Sequence, residues 1–286
     1  MKKNRRLLWQ FGFFFVQNPF LKNFFTGEIY RGGLKHICTP GLNCYSCPAA
    51  ALSCPLGALQ LFFAGAVHNV SLYVTGFLIS VGVVFGRFIC GFLCPMGLLS
   101  DLLYRIGTPK LILRLRFLRY VKYIILLLFV IILPSVVRHT VSGLGRPWFC
   151  AYICPSGTIF GAVPLMAAND FLRELAGVQF ILKISMAGAV VFVSVFVLRV
   201  FCRVLCPLGA VYGLLNKVAA IHIRHNGDKC TKCGRCAKAC HIALDPVRES
   251  DSPECFRCGR CVTACPAGSF SVCRSRDVVF ASDKKG

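Results

Sequence analysis

The chain has 286 residues, is 56% hydrophobic with a mean hydropathy of +0.66, and contains only 15% charged residues. Soluble domains are usually about one quarter charged, so this composition argues against a soluble protein and predicts an α-helical integral membrane protein. The formal net charge is +22, and we interpret the basic residues as signals of membrane topology rather than as a nucleic-acid-binding surface.

Four apolar segments are candidates for transmembrane helices, each of which needs about 20 residues. The first, residues 7–25, follows a basic start and is the weakest, because polar residues and a proline interrupt it between Gln17 and Lys22. We interpret it as an uncleaved membrane helix rather than an interfacial helix or a signal peptide, since no small-residue cleavage site follows. The other three segments are residues 70–89, 120–137 and 178–200.

The distribution of Lys and Arg predicts the orientation of these spans, because basic residues of short loops stay mainly in the cytoplasm. They concentrate at the N-terminus and between the second and third spans, at Lys2, Lys3, Arg5, Arg6, Arg105, Lys110, Arg114, Arg116, Arg119 and Lys122. Four spans would then place both termini inside the bacterial cytoplasmic membrane. We therefore predict a multi-pass transmembrane domain, residues 1–220, and a cytoplasmic domain, residues 221–286.

The C-terminal domain carries two four-cysteine runs with the spacing of bacterial [4Fe-4S] ferredoxins. Two-residue spacers let a loop wrap three thiolates around one cluster, while the fourth cysteine of each run leads to the other cluster. The sequence thus predicts a ferredoxin-like α+β domain with two [4Fe-4S] clusters. One cluster would be held by Cys230, Cys233, Cys236 and Cys265, and the other by Cys255, Cys258, Cys261 and Cys240.

Zinc is the alternative for these runs, because thiolate tetrads also bind zinc. Zinc sites do not need a third cysteine at the same short spacing followed by x3-Cys-Pro, and this favours iron–sulfur clusters. His241 stands where the first run would normally have proline, which leaves the ligand set intact. Cys273 stands apart from both runs and is predicted to be a free thiol.

A Cys-x3-Cys-Pro motif occurs three times before the ferredoxin runs, at Cys90/Cys94, Cys150/Cys154 and Cys202/Cys206. The first and third copies follow membrane spans in matching contexts, GRFICGFLCPMGLL and LRVFCRVLCPLGAV, which indicates an internal duplication. Thiols four residues apart would share a face of a continuous helix. The two matching motifs could therefore hold one more cluster or metal, and the alternative is that they are structural or redox-active thiols.

Four further cysteines, Cys38, Cys44, Cys47 and Cys54, lie within seventeen residues of the predicted outward loop between the first two spans. They could bind a cluster or metal alone, or share ligands with Cys150 and Cys154. In an oxidising compartment they could instead form two disulfides. His68, Arg138 and His139 lie near the predicted outward ends of spans, where they could form a quinone or haem site.

The four predicted spans, the Cys-x3-Cys-Pro motifs and the two ferredoxin runs together resemble the NapH family of membrane ferredoxin-type proteins. The membrane portion of NosR is similar as well, and the resemblance covers roughly residues 70–266. It implies a quinol dehydrogenase subunit that takes electrons from membrane quinol and passes them to a reductase or another electron-transfer subunit. The extra cysteine-rich loop and the third Cys-x3-Cys-Pro motif depart from this pattern.

The leading functional prediction is therefore an electron-transfer protein whose expected partners are membrane lipid, redox proteins and quinol, with no nucleic acid. Two alternatives use the same clusters: a redox assembly or maturation factor, and a membrane regulator that senses redox state. The sequence identifies no catalytic residue and no hydrolase or nucleotide-binding motif.

Overall fold

The computed structural model describes residues 3–65, 70–111, 117–137, 143–174, 176–249 and 252–274, and these are mostly helical. Lys2, His68, Arg114, Arg116, Arg138 and His139, which the topology and the quinone-site predictions used, lie outside the described residues. The helices before the second half of the chain are α1 Lys3–Gln17, α2 Asn23–Thr26, α3 Pro55–Phe63, α4 Val70–Phe85, α5 Phe88–Phe92, α6 Pro95–Leu103 and α7 Leu118–Val136. They are followed by α8 Pro155–Ala168, α9 Asp170–Glu174, α10 Val178–Phe196, α11 Val200–Val204, α12 Pro207–Leu215, α13 Arg235–Ala239 and α14 Arg260–Ala264.

Two of these helices, α7 and α10, are long and apolar enough to cross a membrane. Each has 19 residues, and only 22% and 17% of their most apolar windows are buried inside the protein. Helix α7 has a π-helical segment, Leu126–Ile132, directly before the turn that contains Pro134. A local widening of this kind is how a helix accommodates a proline, which lacks an N–H and crowds the preceding turn.

The first predicted span has different limits in the structure, because α1 ends at Gln17 and not near Phe25. Gln17 and Asn18 are buried and hold the chain in a turn: the Gln17 side chain donates to the Leu93 carbonyl, 3.0 Å away, and Asn18 donates to the Phe14 carbonyl. A short helix then begins at Asn23. The continuous helix expected for residues 7–25 is therefore wrong.

The second and fourth predicted spans also end earlier than expected, at Phe85 and Phe196. Gly86 follows α4 with φ 54°, and Arg199 follows α10 with φ 53°, so a left-handed residue redirects the chain after each span. A side chain at Gly86 would meet the amide oxygen of Asn216 at 2.5 Å. Each redirection leads into a short helix, α5 or α11, that contains the first cysteine of a Cys-x3-Cys-Pro motif.

The C-terminal part contains an antiparallel pair of strands, β1 Ile221–His225 and β2 Phe270–Arg274. Their register pairs Ile221 with Arg274 and His225 with Phe270, so the strands close the two ends of the cysteine-rich segment onto each other. Helices α13 and α14, which begin after Gly234 and Gly259, lie next to each other between the strands. This part therefore contains both helices and strands, and β1 begins at Ile221.

The main hydrophobic core is built around cysteines rather than around large aliphatic side chains alone. Seven cysteines belong to it: Cys38, Cys54, Cys90, Cys94, Cys154, Cys202 and Cys206. The ferredoxin runs lie largely outside this core, and Cys236 packs in a separate small cluster with Ile223 and Phe270.

Candidate metal centres

The Cys-x3-Cys-Pro motifs are not single helices, because the chain breaks between their two cysteines. Cys90 lies in α5, whereas Cys94 is extended (φ −81°, ψ 124°) and immediately precedes α6. Cys202 and Cys206 repeat this arrangement at α11 and α12. Proline disfavours the helical conformation for the residue before it and suits the first position of a new helix. The expectation that the two thiols share one helical face is therefore wrong.

Four helices begin with a cysteine followed by proline, and in each the cysteine sulfur lies at the helix N-terminus. Cys54 precedes α3 and Cys154 precedes α8, with the same extended backbone as Cys94 and Cys206. The Gly209 N–H donates to the Cys206 Sγ, 3.4 Å away. Helix N-termini favour anions, so these positions suit thiolate ligands.

In the duplicated motifs, close packing explains why the second residue after each proline is glycine. A Cβ at Gly97 would lie 2.7 Å from the Cys90 carbonyl oxygen, and one at Gly209 would lie 2.9 Å from that of Cys202. Only glycine lets the start of each second helix approach the first helix this closely. The pattern Cys-Pro-x-Gly thereby brings both cysteines of a motif to one place.

The two duplicated motifs meet at one buried cavity, which we call the repeat site. Its cysteines are Cys90, Cys94, Cys202 and Cys206, each less than 8% exposed. Leu42 closes one side, and its N–H donates to the Cys94 Sγ at 3.4 Å. Burial raises the pKa of the Cys90 thiol to about 11, although Arg87 and Arg199 oppose the shift. Ligation by a metal would remove this cost by holding the thiolate form.

Two arginines link the duplicated motifs, because each donates a hydrogen bond to a carbonyl of the other motif. Arg87 and Arg199 each stand three residues before the first cysteine of their motif. Arg87 Nη2 donates to the Cys202 carbonyl at 2.7 Å, and Arg199 Nη1 donates to the Cys90 carbonyl at 2.7 Å. Both guanidinium groups are fully buried. The internal duplication predicted from the sequence is thus matched by equivalent contacts in the structure.

The buried charges next to the repeat site are not balanced by carboxylates alone. Arg87 and Lys122 share the carboxylate of Glu254, and Arg199 and Arg6 share that of Asp101. Burial would raise the pKa of Asp101, but Arg199 and Arg6 outweigh it and hold this pKa at about 2. Each ionised carboxylate therefore leaves one cation uncompensated. Buried unpaired cations are costly, so the site is electrostatically suited to an anionic group such as a thiolate-bound cluster.

Four of the C-terminal cysteines line one cavity, and they include the last cysteine of the first run. Cys240, Cys255, Cys258 and Cys261 line this cavity together with Arg6 and Arg199, and we call it the proximal site. The four remaining cysteines of the two runs, Cys230, Cys233, Cys236 and Cys265, are the ligands that the sequence predicts for the other cluster, and we call them the distal site. There Cys236 and Cys265 pack near the strands and Cys233 is exposed.

The segment around Glu254 and Phe256 docks the C-terminal domain onto the repeat site. The Phe256 ring contacts both Arg87 and Arg199. The ring centroid lies 4.6 Å from the Arg87 Cζ and 5.0 Å from the Arg199 Cζ. Arg87 Nη1 also donates to the Pro253 carbonyl at 3.1 Å and to Glu254 at 2.6 Å. We call residues Ser252 to Arg257 the docking segment. It places the proximal site beside the repeat site.

Sequence reasoning missed these docking residues and the two acidic residues that pair with them. Glu254 and Phe256 lie next to ligand cysteines, and the cysteine spacing does not indicate a separate role for the residues beside them. The matching positions of Arg87 and Arg199 in the duplicated motif were the one available signal. Asp101, seven residues after Cys94, carries no such signal.

A second and larger cavity, of about 950 Å³, contains most of the loop cysteines. It is lined by Cys38, Cys44 and Cys54 from the loop and by Cys150 and Cys154 from the third motif, whereas Cys47 lies outside it. Leu42 lines this cavity as well as the repeat site. The sequence analysis separated these two cysteine groups across a bilayer about 30 Å thick. Because one leucine lies on the walls of both cavities, the groups are far closer together than expected.

All nineteen cysteines lie within the described residues, and the structure gives every one of them as a free thiol. The four loop cysteines therefore form no disulfides in this structure, in contrast to the alternative raised from the sequence. Across the described ranges, no three His, Cys, Asp or Glu side chains lie close enough together to bind a single metal ion. A cluster spreads its four thiolate ligands over several iron atoms and needs wider spacing than one zinc ion.

Comparison with known proteins agrees with iron–sulfur chemistry. The model of a 4Fe-4S binding domain family matches residues 67–114, 123–164 and 180–225, and these segments contain all three Cys-x3-Cys-Pro motifs. The chain is similar to proteins that are named as electron-transport or ferredoxin-type proteins. YccM of Escherichia coli, whose name assigns it to electron transport, is 28% identical over 61% of this chain. The methylamine utilization ferredoxin-type proteins MauN of Methylorubrum extorquens and Paracoccus denitrificans are 29% and 28% identical over 66% and 71% of it.

The chain spans only part of these relatives. The matched region covers 46% of YccM and 60% and 66% of the two MauN proteins. No solved structure matches the chain.

Proposed function

We propose that the chain is a membrane-bound iron–sulfur protein that transfers electrons between membrane quinol and a redox partner protein. The observation that carries this proposal is the repeat site, where two copies of one motif bring four buried cysteines to one cavity flanked by two uncompensated cations. Three cysteine tetrads, those of the repeat, proximal and distal sites, would each hold one [4Fe-4S] cluster. Such a cluster takes up or releases one electron at a time.

Membrane location is supported by the surface of the two long helices. Apolar side chains of α7 and α10 point outward: Ile124 is 60% exposed, Val178 is 73% exposed and Phe192 is 67% exposed. A core helix of a soluble protein would bury these residues, whereas lipid would cover them. We propose that α1 and α4 complete four spans. The basic residues around Arg105 and Arg119 would then lie on the cytoplasmic side of a bacterial membrane, together with the C-terminal domain.

The three sites would lie in the order repeat, proximal and distal, and this order suggests a role for each of them in electron transfer. The repeat site is buried, and the docking segment holds the proximal site against it through Phe256 and Glu254. The distal site is exposed at Cys233 and is surrounded by basic residues on the surface: Arg224, Lys229, Lys232, Arg235 and Lys238. This surface suits a redox partner with an acidic face, since complementary charges steer association.

Quinol is proposed as the membrane substrate on the strength of the family resemblance and of the lipid-facing surface. Oxidation of one quinol to quinone releases two electrons and two protons, and two one-electron centres are enough to take both electrons. The test is anaerobic stopped-flow mixing of the full chain in detergent with menadiol. We expect the iron–sulfur absorbance to bleach at a rate that depends on menadiol concentration.

The matched control is the Cys90→Ala, Cys94→Ala, Cys202→Ala, Cys206→Ala variant, in which bleaching should slow at least tenfold. Chemical reduction by dithionite should still bleach its ferredoxin clusters. Full clusters that dithionite reduces but menadiol does not would contradict the proposal and would favour an assembly factor or a redox sensor.

A further inference from the structure

We propose that Cys44, Cys54, Cys150 and Cys154 hold a further iron–sulfur cluster, and that Cys38 and Cys47 are not its ligands. We call these four cysteines the loop site. The proposal rests on the proposed function for the class of cofactor. Its ligands are separate from those of the repeat, proximal and distal sites.

The four sulfur atoms converge from three parts of the chain on the second cavity. Cys54 and Cys154 stand at the N-termini of α3 and α8, as Cys94 and Cys206 do at the repeat site. Cys44 reaches the same place, because its Sγ lies 3.4 Å from the Cβ position of Gly157 in the first turn of α8. Cys54, Cys150 and Cys154 line this cavity together with Cys44.

One ligand sulfur, that of Cys150, also has a buried polar donor directed at it. Gln60 Nε2 donates to the Cys150 Sγ at 3.1 Å, and the Gln60 side chain is fixed by its Oε1, which accepts from the Phe149 N–H at 3.0 Å. Gln60 is fully buried between apolar residues of α3. Hydrogen bonds to the sulfur atoms are a usual means of setting a cluster potential.

The two excluded cysteines have different surroundings. The Cys47 sulfur lies 3.8 Å from the Asn18 Oδ1 and packs with Ala49 and Ala50, outside the cavity. Cys38 borders the cavity, but its backbone bridges to Ser53 and its N–H donates to the Tyr73 hydroxyl oxygen at 3.4 Å. Its position serves to fix the fold of the loop.

The charge and size of the cavity fit an anionic cluster better than a single metal ion or a disulfide. Lys35 and Lys183 both line it and provide positive charge beside the four thiols. The four cysteines are free, and within the described ranges no three potential ligands are close enough for one ion. Soft thiolate ligands select iron–sulfur clusters, Cu(I) or zinc, and a cavity of about 950 Å³ has room for a cluster.

The loop site would lie next to the repeat site and on its far side from the ferredoxin domain. Leu42 lines both cavities, and its carbonyl accepts a hydrogen bond from Ser156 Oγ at 3.2 Å, two residues after Cys154. The chain would therefore hold its four cysteine tetrads in series, from the loop site to the exposed distal site.

The test compares single alanine variants of the full chain, purified anaerobically. Cys44→Ala and Cys54→Ala should each lower iron and labile sulfide by about four atoms per chain, the content of one cubane. Cys38→Ala and Cys47→Ala are matched controls from the same loop and should keep the full content. A second measurement avoids misfolding: differential alkylation of the unmodified chain should label Cys44, Cys54, Cys150 and Cys154 only after the clusters are removed by acid.

The inference is overturned if the Cys44 and Cys54 variants keep full iron, if the Cys38 and Cys47 variants lose as much, or if the loop cysteines bind zinc instead. Failure of the proposed function looks different. There the quadruple variant of the repeat site would also keep full iron, or menadiol would fail to reduce a chain whose loop-site variants lose iron as expected.

Discussion

The ion pairs of Glu254 should decide whether the C-terminal domain stays docked on the repeat site. Glu254 accepts from Arg87 and Lys122, whose side chains are completely buried, and is itself only 7% exposed. Glu254→Gln leaves both cations without a carboxylate. Removing one partner of a buried ion pair costs about 3–5 kcal/mol, which is about two to four powers of ten in the docking equilibrium.

Amide hydrogen exchange of the docking segment measures this equilibrium directly. We expect exchange of residues 252–257 to accelerate by at least about a hundredfold in Glu254→Gln. Asp228→Asn is the control, because it removes an equal charge from an exposed side chain of the same domain. Equal exchange in the two variants, with the clusters retained in both, would refute the assigned role of Glu254.

Three further predictions concern the packing around the sites. Phe256→Ala should keep its iron but slow electron exchange between the ferredoxin clusters and the repeat site at least tenfold in flash-reduction kinetics, while Phe256→Tyr should not. Gly97→Ala should lose repeat-site iron, because its Cβ would clash with a carbonyl at 2.7 Å, whereas Gly76→Ala, which has open space around it, should keep full iron. Lys232→Glu with Lys238→Glu should raise the KM for an acidic redox partner and flatten its salt dependence, and an unchanged KM would exclude that surface.

The local cysteine patterns were the most predictable part of the molecule. The spacing of the two ferredoxin runs predicts crossed ligation, which stays a prediction, and Cys240 lines the same cavity as the other three cysteines of the proximal site. Such motifs work because a short loop must present several ligands to one cluster, and this requirement is visible in neighbouring residues. The matching motifs at Cys90 and Cys202 likewise predicted a shared site.

The arrangement between distant segments was not predictable in the same way. The loop around Leu42 was placed on the opposite side of the membrane from Cys94, but the two are hydrogen-bonded. Hydropathy identifies apolar helices and gives no information about a loop that folds back into the interior between them. The break within each Cys-x3-Cys-Pro motif could have been anticipated, because the proline after Cys94 or Cys206 disfavours helix at the cysteine.

The ion pairs between distant segments could not be predicted from the sequence either. The partner of Arg87 is Glu254, 167 residues away, and no local rule links them. The acidic residues that pair with buried cations, Asp101 and Glu254, could only be recognised once the folded chain placed them there.

The central claim, that the duplicated motifs hold a cluster, is tested most directly by Mössbauer spectroscopy with iron quantification on ⁵⁷Fe-labelled protein. The full chain is compared with the variant in which Cys90, Cys94, Cys202 and Cys206 are all replaced by alanine. The account predicts that the variant loses about four irons and one cubane component, while the two ferredoxin clusters remain. Identical iron content and identical spectra in the two proteins would contradict it.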